Sequence, residues 1–130
     1  MQSIAVFAPL YGAKEMLALG LKAKEPVVRF LILYSAMMLV ALFKNSANGT
    51  QQAVDELLRS VNPGLARVTR PPRTKAKKKS TSDKETIYTK LRNDFVHAEQ
   101  RGWKPMDAMN AIERHIAEFQ RDVEEVFKGL

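Results

Sequence analysis

The sequence predicts an all-α protein, an antiparallel helical bundle of four to five helices, and three observations carry that prediction. Near its end the chain places apolar residues at Met109, Ile112, Ile116, Phe119, Val123, Val126 and Leu130, at steps of 3, 4, 3, 4, 3 and 4. Such a seam packs against neighbouring helices at a shallow angle. The segment from Val27 to Phe43 is apolar on nearly every side, as a central helix touched by several neighbours should be. No stretch alternates convincingly with period two, so nothing argues for a sheet.

Each element has its own signals. Ala8 to Leu21 is apolar but punctuated by Gly12 and Gly20, which limits the first helix to about Ala13–Leu21. Pro26 suits the first position of the second helix, where its missing N–H costs nothing. That helix runs to about Phe43, and Asn45, Asn48 and Gly49 end it. Thr50 is a good N-cap for a third helix over Gln51–Val61, with Val54, Leu57, Leu58 and Val61 at helical spacing. Pro63-Gly64 and Pro71-Pro72 then break the chain. Order returns at Ser82, where a Ser cap followed three residues later by Glu85 forms a capping-box signature. The fourth helix presents Ile87, Tyr88, Leu91 and Phe95 on one face and closes at Gly102. Pro105 and Asp107 announce the last helix.

At 130 residues the chain is read as a single domain, 1–130, with a flexible basic loop over 66–82. The 45% hydrophobic and 27% charged fractions are those of a globular protein. The absence of cysteine excludes a disulfide framework, a thiolate zinc site and a cysteine nucleophile, and it favours a reducing cytoplasm. The first residues lack a basic region and a signal-peptide layout. The apolar run from Val27 to Phe43 carries Arg29, Tyr34 and Ser35, stops at Lys44, and is short of the roughly 20 residues that span a bilayer. It reads as a buried helix, with no membrane partner.

Charge is unevenly placed. Arg67, Arg70, Arg73, Lys75, Lys77, Lys78, Lys79 and Lys84 face only Asp83, and eight minus one equals the whole net charge of +7. A localised basic block points to an anionic partner, or else to a solvated loop without a ligand. Arg73, Lys75, Lys77, Lys78, Lys79 and Lys84 are the candidate RNA-binding residues.

Of the two histidines, His115 lies beside the seam of the last helix without an evident partner. His97 lies five residues after Arg92. On a continuous helix that separation is about 7.5 Å along the axis and about 140° around it. Arg can fork its donors onto a phosphate, and His exchanges protons near neutral pH. On spacing alone, a solvated helix face explains the pair better, since Arg and His five apart often occur by chance. Asp83/Glu85 and Glu124/Glu125 read as helix-start and exposed-face carboxylates, Asp55 and Glu56 as residues of a short helix, and Met37, Met38, Met106 and Met109 as bundle filler. Trp103 is expected to pack over the turn into the last helix, with base stacking as the alternative. No metal or other cofactor is expected.

Arg92-Asn93 followed by His97 resembles the motif of the HEPN superfamily: Arg, a polar residue, then His four to six residues after the Arg. The run Glu85–His97 looks like the motif helix of ApeA-like and MauJ-like HEPN domains. Glu25-Pro26-Val27-Val28-Arg29-Phe30 is similar to the Pro-x-x-Arg-Phe opening of their central helix. The resemblance covers about Pro26 to the C-terminus. It implies a homodimer whose Arg/His pairs meet in one composite cleft, and a metal-independent endoribonuclease serving defence or stress response. In that scheme His97 is general base or acid, Arg92 stabilises charge on the phosphoryl oxygens, Asn93 orients the pair, and products carry 2′,3′-cyclic phosphates. Where related toxins carry a modifiable Tyr two residues after the His, this chain has Glu99. That departure argues against silencing by tyrosine AMPylation, though another regulatory protein partner is compatible with the resemblance.

Two further readings stay open beside the ribonuclease. One is a non-catalytic HEPN-like module that binds RNA, a nucleotide or a protein; the other is an unrelated helical interaction module whose basic loop meets DNA or an anionic membrane.

Overall fold

Pro26 opens the helix around which the others are arranged. The computed structural model describes residues 4–44, 51–69, 84–98 and 104–130. Its order is α1 (Ile4–Lys22), α2 (Pro26–Lys44), α3 (Gln51–Val61), β1 (Arg67–Thr69), β2 (Lys84–Thr86), α4 (Ile87–Val96) and α5 (Pro105–Lys128). The fold is mostly helical, as the periodicities predict, with one small two-stranded sheet.

At the start of α2 the Glu25 carboxylate accepts from the backbone N–H groups of Val27 (3.1 Å) and Val28 (2.7 Å). It thereby satisfies two of the donors that every helix start exposes. α2 packs against α1, α3 and α5 and buries Phe30, Leu33, Tyr34, Met37 and Val40. It is long and apolar enough to cross a membrane by length and composition, and in this fold its buried face is covered by those three helices. Arg29 ties the turn before α2 to α5: its Nε donates to the Ala23 carbonyl at 2.9 Å and its Nη1 to Gln120 Oε1 at 3.1 Å.

α1 is longer than its glycines suggest, beginning at Ile4 and not near Ala13. The added turns take in Pro9 and Gly12 despite their poor helix propensity, and α1 packs along α2. Gly20 also has a positive use. A Cβ there would lie 2.8 Å from Leu33 Cδ2, so the missing side chain lets the two helices approach closely.

Two expectations fail between α3 and α4. The segment after Ala66 begins as a strand, not as loop. β1 pairs antiparallel with β2, with Arg67 opposite Thr86, Val68 opposite Glu85 and Thr69 opposite Lys84. A three-residue strand is too short to display alternation, so period-two reasoning could not find it. Glu85 is consequently a buried strand residue, not the fourth residue of a capping box. Thr86 is the N-cap, its hydroxyl accepting from Thr89 N–H at 3.3 Å. Ser82, Thr50, Gly102 and Trp103 lie outside the described residues, as do Arg70, Arg73, Lys75, Lys77, Lys78 and Lys79.

α5 begins with Pro105 as its first residue. Its seam is buried at Ile112, Phe119, Val123 and Val126 and half-buried at Met109 and Ile116, whereas Leu130 lies beyond the helix and is exposed. Phe119 joins three helices: its ring centroid lies 4.6 Å from Phe30 on α2 and 4.7 Å from Tyr88 on α4, the latter edge to face. Each fully buried aromatic stabilises by about 1.5–3 kcal/mol, and the preferred ring geometry adds about 0.5–1.5 kcal/mol. Met37 belongs to this core, but Met106 is 61% exposed and fills nothing.

Candidate functional site

α4 carries the Arg–Asn–His constellation, and what holds α4 decides what those side chains can do. The helix ends at Val96, with His97 at its C-cap (φ −113°, ψ 29°). His97 still donates its backbone N–H to the Asn93 carbonyl at 2.9 Å, so its Cα keeps the helical position. The chain turns away only after it. Arg92 and His97 are both half-buried, whereas Asn93 is 4% exposed.

Asn93 is a junction. Its Oδ1 accepts from Gln51 Nε2 (2.7 Å) and from Arg92 Nη1 (3.0 Å). Its Nδ2 donates to Gln51 Oε1 (3.0 Å) and to Glu85 Oε2 (3.1 Å). An amide offers two acceptor and two donor positions, and all four are used. The orientation is forced, because a flipped amide would turn its NH2 toward the guanidinium and its oxygen toward the Glu85 carboxylate. Asn93 therefore has no hydrogen-bonding position left for a ligand; its part is to hold Arg92. The Arg92 guanidinium also lies 6.0 Å from the Tyr34 ring centroid, within cation–π range.

Beneath this junction runs a chain of buried hydroxyls. Thr86 Oγ1 and Thr89 Oγ1 both donate to Asp55 Oδ1, at 2.6 and 2.5 Å, and the Thr86 N–H reaches Asp55 Oδ2 at 3.3 Å. Tyr34 Oη lies 2.7 Å from Thr89 Oγ1. Since the Thr89 proton is committed to Asp55, Tyr34 must be the donor there. Burial pushes the Tyr34 hydroxyl well above its ordinary range; the nearby Asp55 and Glu85 charges push it further, and Arg92 pulls it back. α2, α3, β2 and α4 are thus clamped together by polar groups at the point where Arg92 emerges.

A second buried cluster joins the first turn of α4 to α5. Tyr88 Oη donates to Asp122 Oδ2 at 2.8 Å, and Asn62 Nδ2 donates to the same oxygen at 2.9 Å. Burial and then the bond to Asp122 both hold the Tyr88 hydroxyl protonated well above its ordinary range.

The remaining candidates are not brought to the Arg–Asn–His cluster. Lys84 is exposed on β2. His115 is half-buried on α5, Glu124 accepts from Gln120, and Glu125 pairs with Lys128. Among the described residues no group of His, Asp or Glu is arranged to hold a metal ion. Sequence reasoning missed Gln51 and the role of Asp55. A legible signal existed for the second: Asp55 sits between Val54 and Leu58 on the apolar face of α3, where a carboxylate needs buried partners. Comparison of the chain with protein families, characterised proteins and solved structures finds no match. The fold and the site together define a small helical bundle with a half-buried Arg and His on one short helix.

Proposed function

We propose that this protein is a metal-independent endoribonuclease of the HEPN type, acting in the cytoplasm as a homodimer through Arg92 and His97, with Asn93 as the group that positions Arg92. One observation carries the reading. Arg92 is anchored by a neutral amide and an aromatic face, and no carboxylate among the described residues forms an ion pair with it. An Arg whose job is structural is more often neutralised by a buried acid. An anchored guanidinium with donors to spare is what an accumulating phosphoryl charge requires.

In the proposed reaction His97 takes the proton of an RNA 2′-hydroxyl as that oxygen attacks the adjacent phosphorus. The 5′-oxygen of the next nucleotide leaves with a proton given by the protonated histidine of the second protomer, and the products are a 2′,3′-cyclic phosphate and a 5′-hydroxyl end. The second protomer supplies the other Arg/His pair of the cleft. β2 leads directly into α4, so Lys84 lies close along the chain to the motif helix, and on this reading Arg73, Lys75, Lys77, Lys78 and Lys79 are further phosphate contacts.

A second reading has its own support. The His97 side chain has no hydrogen-bond partner among the described residues, whereas a general base is usually oriented by a third group. On that reading the site binds RNA or another phosphate-bearing partner without turnover. The test is cleavage of a mixed-sequence RNA in EDTA by the wild type, Arg92→Ala and His97→Ala, each checked for fold by circular dichroism. Cleavage with cyclic-phosphate ends that both variants abolish supports the ribonuclease. Binding without cleavage by a dimeric wild type supports the second reading.

A further inference from the structure

Gln51 is the first residue of α3, far from the motif in sequence, yet it makes two of the four hydrogen bonds that saturate Asn93. The pair is reciprocal: each amide donates to and accepts from the other, at 2.7 and 3.0 Å. Such a closed amide pair fixes both side chains in one orientation, since rotation of either breaks both bonds. Asn93 Oδ1 then presents its remaining lone pair to Arg92 Nη1.

We infer that Gln51 is the positioning residue of the Arg92 site, setting the guanidinium through Asn93 and so linking the start of α3 to the anion-binding group on α4. The inference rests on the reading of Arg92 as a phosphate-binding group. The chemistry follows from the bonds. Without Gln51, Asn93 keeps Glu85 as acceptor and Arg92 as donor, which still decide which way round its amide faces, but it loses two of its four hydrogen bonds and with them the restraint on smaller rotations of the side chain. Arg92 then samples orientations in which its donors point away from the developing phosphoryl charge. A positioning defect of this kind lowers kcat and leaves KM nearly unchanged, because the guanidinium is needed most in the transition state.

The experiment uses the full chain in three variants: Gln51→Ala, Asn93→Ala and the double substitution. Two readouts are taken, RNA cleavage and the NMR signals of the Arg92 guanidinium N–H groups in the absence of RNA. The expected result is a loss of kcat of about tenfold or more in Gln51→Ala, as removal of one transition-state hydrogen bond gives. The double variant should be no worse than Asn93→Ala, since Gln51 acts only through Asn93. In the free protein, the Arg92 signals should be resolved in the wild type and averaged in both single variants. If Gln51→Ala lowers thermal stability but leaves kcat and the Arg92 signals unchanged, Gln51 merely anchors α3 and the inference is overturned. Additive losses in the double variant overturn it as well. If the wild type cleaves no RNA, the ribonuclease reading fails by itself, and the guanidinium signals still decide whether Gln51 positions Arg92.

Discussion

Asp55→Ala tests the buried hydroxyl chain most directly. Asp55 is 7% exposed and is the terminal acceptor for three donors: the Thr86 hydroxyl, the Thr89 hydroxyl and the Thr86 backbone N–H. Removing the carboxylate leaves all three without an acceptor in a site closed by α2, α3 and α4. A buried donor left unmade costs about 1–3 kcal/mol, and more where its acceptor was charged. Some relaxation and entry of water reduce the sum, so the expected loss is about 3–5 kcal/mol, at the upper end for single substitutions. Against a total of about 5–15 kcal/mol for a domain, that is a large fraction. The melting temperature should fall by on the order of 10–20 °C. Tyr34→Phe removes only the far donor of the same chain while keeping the core ring, and it leaves Thr89 with its bond to Asp55 intact; it should cost about 1 kcal/mol. Urea unfolding followed by far-ultraviolet circular dichroism measures both. If Asp55→Ala stays within about 1 kcal/mol of the wild type, or if Tyr34→Phe is the more damaging of the two, the directional chain of donors ending on Asp55 is refuted.

Further outcomes follow from the same geometry. Gly20→Ala places a Cβ 2.8 Å from Cδ2 and 3.0 Å from Cγ of the fully buried Leu33; the overlap should outweigh the helix-propensity gain and cost about 1–3 kcal/mol in the same unfolding assay. Two of the three tyrosines, Tyr34 and Tyr88, are held protonated above the ordinary value of 10.0. Their contribution is therefore intact below that pH and is lost above it, where the unfolded chain releases the protons first. Ultraviolet absorbance should show these two ionising only as the helical signal collapses, and ionisation of both in a still-helical protein would contradict their burial. Glu25→Ala removes the acceptor for two N–H groups at the start of α2 and should cost about 1 kcal/mol. If the basic segment binds RNA phosphates, affinity should fall steeply between low and moderate salt, and replacing Lys77, Lys78 and Lys79 together should flatten that dependence by about three in the log–log slope at most.

What the chain makes legible by itself is what depends on local repetition. The step-of-three-and-four seam located α5 and most of its buried face, and Pro26 with the apolar run after it located α2, because a helix repeats its environment every few residues and the sequence must repeat with it. The Arg92-Asn93-His97 grouping was visible as a string. The strands at Arg67–Thr69 and Lys84–Thr86 were not visible, since three residues hold too little periodicity and their pairing joins segments separated along the chain. Nor could the string say which member of the grouping faces outward. That was decided when Gln51 and Asp55 on α3, Tyr34 on α2 and Glu85 on β2 converged on α4. Hydrogen bonds between groups tens of residues apart leave no spacing rule in the sequence. Each requires a partner that burial supplies only once the helices are packed, so tertiary structure alone makes Asn93 a buried junction and leaves Arg92 charged and half-exposed above it.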